Sequence, residues 1–207
     1  DQTYALYNLT QEQLRRTLMP VGSYEKDQIR QIALEAGLPV AGKPDSQEIC
    51  FIPDQDYAGF IERYTGEQVP EGNFVDRSGK VLGTHRGIIH YTIGQRKGLN
   101  LSAGRRVFVT EIRPETNEVV IGEGDDVFTD RLVFGQVNCM GTEDLAGAGT
   151  VTGKIRYGHK GAPCRVYDLG EGEMECRFME PVRAVTPGQA VVFYDGDTVL
   201  GGGRILR

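Results

Sequence analysis

Cysteine is the side chain here with the widest chemical range, and it occurs four times, as Cys50, Cys139, Cys164 and Cys176. Cys50 stands apart. It lies in Lys43-Pro44-Asp45-Ser46-Gln47-Glu48-Ile49-Cys50-Phe51-Ile52-Pro53, where Pro-Asp pairs signal turns and therefore a loop, the usual place for reactive groups. A thiolate there can act as nucleophile, metal ligand or sulfur carrier. The same residues also fit a packed thiol between Ile49, Phe51 and Ile52, because free cysteine is among the most buried residue types. Both readings stand at this point. Cys139, Cys164 and Cys176 fall in strand patterns and read as packing residues. There is no C-x-x-C, and the three histidines (His85, His90 and His159) offer no zinc spacing, so no metal site is expected. Widely separated cysteines at this low density point to a reducing compartment.

Other candidates carry positive charge. His85 and His90, five residues apart, do not match the i, i+4 metal pair of a helix and read as surface or RNA-facing. Gly94-Gln95-Arg96-Lys97-Gly98 is basic and bracketed by glycine. It fits a phosphate held by backbone N–H groups with Arg96 or Lys97, and equally a glycine turn with solvated charges. It is not a Walker A loop, since the spacing and terminal Ser/Thr are wrong. Lys154-Ile155-Arg156-Tyr157-Gly158-His159-Lys160 combines cations with an aromatic ring, a mixture suited to RNA phosphates and bases, or simply a charged strand end. The formal net charge is −6, so nucleic acid is not implied by the whole chain. Yet residues 71–110 hold seven basic side chains (Arg77, Lys80, Arg86, Arg96, Lys97, Arg105, Arg106) against Glu71 and Asp76. One local basic stretch thus sits in an acidic chain.

The elements that must position these groups are legible in part. The 207 residues can bury a sizeable core, and no apolar run approaches the roughly 20 residues of a membrane helix. The first third reads helical. Thr10 with Gln13 makes a capping box, Leu14 and Leu18 share a face, and Pro20 stops the helix. Ser23 caps a second helix with Ile29, Ile32, Ala33 and Ala36 as its stripe and Gly37 as its left-handed exit. A third helix is expected over about residues 56–64, with Phe60, Ile61 and Tyr64 inward. From Asn73 the pattern changes to strands. Hairpins are expected around Asp76-Arg77-Ser78-Gly79 and Pro114-Glu115-Thr116-Asn117. Six further strands are expected at 132–138, 149–157, 164–169, 174–178, 190–194 and 198–205, the last bulged at Gly201-Gly202-Gly203. With 28 glycines supplying turns, that spacing suggests a small barrel. The expected fold class is mainly β with a helical N-terminal segment. Its parts are a helical segment over 1–70, a central β domain over 71–128, and a six-stranded barrel over 129–207.

Several motifs in order and spacing resemble one family. They are Asp1-Gln2-Thr3-Tyr4, Asp45-Ser46-Gln47-Glu48-Ile49-Cys50-Phe51-Ile52, Gly87-Ile88-Ile89-His90-Tyr91-Thr92-Ile93-Gly94-Gln95-Arg96-Lys97-Gly98-Leu99, Arg156-Tyr157 and Thr186-Pro187-Gly188-Gln189. Together they resemble the bacterial tRNA-specific 2-thiouridylases along essentially the whole chain. The resemblance implies a barrel like those of translation factors. It also implies a reaction in which ATP adenylates the C2 oxygen of the wobble uridine and a persulfide supplies sulfur. By that resemblance Cys50 is the second catalytic cysteine, which carries the persulfide. Asp1, Gln2, Arg156, Tyr157 and Gln189 are tRNA contacts, and Arg96 and Lys97 are candidates for the tRNA backbone.

The chemistry suits the residue. Oxygen at C2 is a poor leaving group until adenylated, and a soft sulfur must then reach the carbon. A cysteine can carry a transferable sulfur and a second can resolve the product as a disulfide; a serine cannot. The family's ATP domain, with its Ser-Gly-Gly-Val-Asp-Ser loop and first catalytic cysteine, would precede Asp1. The chain opens without Met, so a fragment is expected. ATP with Mg is expected for the intact enzyme and none on these residues. The expected partners are tRNA and a sulfur donor, either a cysteine desulfurase or a sulfur-relay protein, in the cytoplasm and off the membrane. The competing reading is a non-catalytic RNA-binding adaptor with a structural Cys50.

Overall fold

Strands rich in apolar residues follow one another from Phe128 onward and close on themselves. The computed structural model describes residues 2–43, 52, 54, 56–102 and 104–207. Asp1 and Cys50 lie outside them. The chain forms two units, one of Asp1–Gln11 with Val69–Arg207 and one of Glu12–Gln68.

In the larger unit, α1 (Thr3–Leu6) precedes ten strands: β1 (Gly72–Val75), β2 (Val81–His85), β3 (Phe108–Arg113), β4 (Glu118–Gly122), β5 (Phe128–Cys139), β6 (Val151–Lys154), β7 (Ala162–Gly170), β8 (Glu173–Arg183), β9 (Ala190–Asp195) and β10 (Thr198–Ile205). The last six form a closed barrel in the order β10-β5-β8-β7-β6-β9. Every neighbouring pair is antiparallel. Closure removes the exposed edges that invite aggregation. Inward residues such as Leu132, Phe134, Val191, Phe193 and Ile205 are at most 2 % exposed and fill the interior. Each such side chain contributes roughly 1.5–3 kcal/mol. The expected bulge in the last strand is present: register shifts fall between Val199 and Gly201 on one side and between Gly202 and Arg204 on the other.

The two expected hairpins are also present, but one feature was not legible. β1 pairs in parallel with β4, so both hairpins merge into one mixed sheet in the order β2-β1-β4-β3. Asn117, at φ 51° in the second turn, ties the junction by donating to the carbonyls of Pro70 (3.2 Å) and Glu71 (2.9 Å). Phe74, Leu99, Val109, Val119 and Ile121 form this sheet's core. His85 corrects the surface reading. It is only 3 % exposed, edge-on to Phe74 at 5.4 Å and to Tyr91 at 5.5 Å.

In the smaller unit, α2 (Gln11–Arg16) begins one residue after Thr10 but ends early, leaving Leu18 89 % exposed and off any shared face with Leu14. The second helix, α3 (Lys26–Glu35), is capped by Glu25 rather than Ser23; Glu25 and Gln28 complete a capping box. Gly37 takes the expected left-handed exit at φ +66°. The third helix is α4 (Tyr57–Thr65), capped by Asp56, whose carboxylate accepts from the Gly59 N–H at 3.0 Å. Tyr64 is 83 % exposed, not inward. These short helices bury little against one another within their unit, so sequence periodicity overestimates their inward faces.

Candidate nucleic-acid interface

The RNA-like motif after β6 is placed by a turn. β6 stops at Lys154, shorter than the expected strand, and the His159 N–H donates to the Arg156 carbonyl at 3.0 Å. Arg156 and Tyr157 are thereby turned off the strand. Ile155 beneath them is buried and anchors the turn, while Tyr157 stays 58 % exposed.

Arg156 Nη1 donates to the Arg183 carbonyl at 2.9 Å. Arg183 ends β8, and its Nη2 donates to the Gly94 carbonyl at 3.0 Å. Its guanidinium also lies over the Phe108 ring, 5.4 Å from the centroid. A continuous set of contacts therefore joins the central sheet, β8 and the β6 turn. The two arginines share a cleft of about 450 Å³ with Thr92, Gln95, Thr186 and Gln189 among its walls. Among the described residues no carboxylate lines the cleft and neither arginine forms an ion pair. Half-buried cations without a counter-charge lose hydration that an incoming anion restores.

Gly94 is required at this junction. It stands at φ +85°, and a Cβ there would come within 2.8 Å of the Ala184 Cβ. Ala184 is itself left-handed at φ +58°, held by donation of its N–H to the Val127 carbonyl at 2.7 Å. The Gly94–Gly98 turn commits its first two backbone N–H groups within the fold. The Gly94 N–H donates to Val109 O and the Gln95 N–H to Thr92 O, so both are used internally. Arg96 and Lys97 project from it as exposed side chains. Arg96 also borders a second depression with Arg105 and Arg106. Elsewhere the basic stretch is partly neutralised: Arg77 pairs with Asp126 and Arg105 with Glu123, each at 2.6 Å.

The start of the chain lies against the barrel. Tyr4 donates its hydroxyl to the Ala190 carbonyl at 2.8 Å, and its ring meets Tyr157 edge to face at 6.3 Å. Burial, with Tyr7 and Tyr194 nearby, pushes the Tyr4 hydroxyl up to about 12, so it remains a donor. Asn138 Nδ2 donates to the carbonyls of Tyr7 (2.7 Å) and Leu9 (3.0 Å), fastening the segment further along. Lys154 Nζ sits 4.7 Å from the centre of the Tyr194 ring. Gln189 precedes Ala190. Its backbone is fixed by donation to Thr186 O at 3.2 Å and acceptance from Ile205 N at 2.8 Å, while its side chain is exposed. Gln2, Arg156, Tyr157 and Gln189 thus fall in one neighbourhood, arranged by Tyr4. Sequence reasoning missed Tyr4 and Arg183. Arg183 reads as an ordinary strand arginine; its place just before Thr186-Pro187-Gly188-Gln189 is the one signal that marks it.

Comparison with known proteins agrees with this layout. Residues 1–54 match the family model described as tRNA methyl transferase HUP domain. Residues 58–123 match the tRNA methyl transferase PRC-barrel domain, and 129–205 the Aminomethyltransferase beta-barrel domain. The chain is 61 % identical over 207 residues to the tRNA-specific 2-thiouridylase MnmA of Lachnoclostridium phytofermentans, covering all of this chain and 58 % of that protein. It is 52 % identical over 205 residues to the MnmA of Clostridium acetobutylicum, covering 99 % of this chain and 58 % of that protein. Against the MnmA of Clostridioides difficile it is 50 % identical over 207 residues, or 100 % of this chain and 57 % of the relative. The chain therefore spans less than three-fifths of the length of these relatives. From the helical segment through the central sheet to the closed barrel, the chain belongs to the family of the tRNA-specific 2-thiouridylases.

Proposed function

We propose that this chain is the tRNA-holding and sulfur-carrying part of an enzyme that makes 2-thiouridine at wobble position 34 of tRNA, with ATP as the activating co-substrate. The observation that carries the reading is the cleft with two arginines and, among the described residues, no carboxylate, beside an exposed Tyr157, in a chain of net charge −6. Whole-chain similarity to proteins named tRNA-specific 2-thiouridylase supports it.

In this reading Arg156 binds phosphate and Tyr157 offers a stacking face to a base. Gln189 and the Asp1-Gln2 pair hydrogen-bond the nucleotide, while Arg96 and Lys97 track the backbone. Cys50 carries the persulfide sulfur, delivered by a cysteine desulfurase or a sulfur-relay protein. The segment 1–70 presents the Cys50 loop, 71–128 braces the cleft, and 129–207 supplies its arginines. In the glycine-bracketed basic turn Gly94–Gly98, the N–H groups of Gly94 and Gln95 are given to the carbonyls of Val109 and Thr92. In this reading ATP with Mg is held by a part of the enzyme outside these residues. Among the described residues no helix is long and apolar enough to cross a membrane; a cytoplasmic site of action is part of the proposal.

The test uses cells lacking the gene, complemented with the intact gene carrying wild-type Cys50 or Cys50→Ser at matched expression. Nucleoside mass spectrometry of their tRNA is expected to show loss of 2-thiouridine with the serine variant. Retention would make Cys50 a packing residue and leave the chain an RNA-holding adaptor.

A further inference from the structure

We propose that Arg183 is a further RNA-binding residue, receiving the tRNA phosphodiester backbone together with Arg156 in the cleft between the central sheet and the barrel. The proposal rests on the tRNA reading above and extends it to a residue that neither motif nor resemblance singles out.

Four observations converge on Arg183. It lines the same cleft as Arg156, and among the described residues no carboxylate lies there to balance either charge. The two are physically linked, because Arg156 donates to the Arg183 carbonyl. The Arg183 guanidinium carries five N–H donors, and its described hydrogen bond, from Nη2 to the Gly94 carbonyl, uses one. Finally, the head group is held in place by that bond and by the Phe108 ring, so little side-chain freedom is lost when a ligand arrives.

A strut between sheet and barrel would need only the contact with Gly94. A second uncompensated cation beside Arg156 adds repulsion and desolvation, which a neutral ligand would leave in place. A phosphodiester removes both costs, and its two free oxygens match the planar forks of guanidinium groups. Thr92, Gln95 and Thr186 add neutral polar groups along the walls, which suits the sugar beside such a phosphate.

The test separates charge from scaffolding. The full-length gene product is prepared as wild type, Arg156→Ala, Arg183→Gln and Arg183→Lys. Glutamine keeps an N–H donor for the Gly94 carbonyl and removes the charge, whereas lysine keeps the charge and removes the fork. Equilibrium binding of unmodified tRNA is measured between 50 and 200 mM KCl, with thermal unfolding as a check on folding. Arg183→Gln is expected to weaken binding about tenfold at low salt. It should also flatten the slope of log K against log salt by roughly 0.7–0.9, the loss of one phosphate contact. Arg183→Lys is expected to keep the slope. An unchanged slope for Arg183→Gln, with Arg156→Ala still flattening it, would overturn the proposal and make Arg183 a strut while the tRNA reading stands. Failure of the wild type to bind tRNA, or an unchanged slope for Arg156→Ala as well, would instead overturn the tRNA reading.

Discussion

Tyr4 and Tyr157 meet edge to face, their ring centres 6.3 Å apart and their planes at 77°, one from the first helix and the other from the turn after β6. This contact, with the Tyr4 hydroxyl on the Ala190 carbonyl, sets the opening residues beside the barrel positions Arg156 and Gln189. Tyr4→Phe keeps the ring and deletes the donor, so it is expected to cost about 1 kcal/mol in chemical denaturation with little change in tRNA affinity. Tyr4→Ala also removes the aromatic pair, worth about 0.5–1.5 kcal/mol, and frees Gln2 and Tyr157 to wander. tRNA binding is expected to weaken severalfold; equal affinities for Phe and Ala would show that the pair does not organise the interface.

The junction at Gly94 makes a graded prediction. Gly94→Ala combines a left-handed backbone with a Cβ 2.8 Å from Ala184. The backbone term is roughly 1–2 kcal/mol and the overpacking term roughly 1–3 kcal/mol, so the expected loss is about 2–5 kcal/mol. Gly98→Ala, at φ +76° with Gln95 Nε2 no nearer than 3.9 Å, is expected to cost only the backbone term. Urea midpoints of the two variants check the difference.

His85 gives stability a pH dependence. Its Nδ1 accepts from the Gly87 N–H at 3.1 Å, which requires the neutral ring with its proton on Nε2, facing the Asn117 carbonyl at 3.1 Å. Burial holds its pKa below the ordinary 6.5. The unfolded chain therefore binds the proton first as pH falls. Stability from this group is complete above about pH 6.5 and declines as the pH drops from there toward the folded-state pKa. His159 is also held below 6.5, first by burial and then by Arg156, and acts with the same sign. Denaturation at pH 7.5 and 5.5 is expected to show lower stability at the acid end, with His85→Gln reducing the difference.

Two of the barrel thiols, Cys164 and Cys176, are expected to be chemically silent. Cys164 and Cys176 are fully buried, and a hydrogen bond with Cys164, then burial, pushes the Cys176 thiol up, so it stays protonated. Replacing either by Ala is expected to cost roughly 1–2 kcal/mol through lost packing and to leave 2-thiouridine formation per folded molecule intact. A thiol-specific reagent should reach them only on unfolding. Loss of activity in a folded Cys176→Ala protein would place chemistry in the barrel.

Much of this architecture is written in neighbouring residues. Short apolar runs between turn residues mark the six barrel strands, Asp76–Gly79 and Pro114–Asn117 mark the hairpins, and the triple glycine marks the bulge of β10, because strand pattern and turn chemistry act over a few residues. The turn that carries Arg156 and Tyr157 was legible only as the end of a strand; Cys50 lies outside the described residues. Tertiary structure alone decided the parallel pairing of β1 with β4, the burial of His85 and the meeting of Tyr4 with Tyr157. It alone carried Arg183 across to Gly94 and left two guanidinium groups in one cleft with no carboxylate among the described residues. Each of these joins segments distant along the chain, and chain order does not encode which distant groups will share a volume. That is settled by closure of the barrel and by the close approach that Gly94 permits, which together decide where charge goes unpaired.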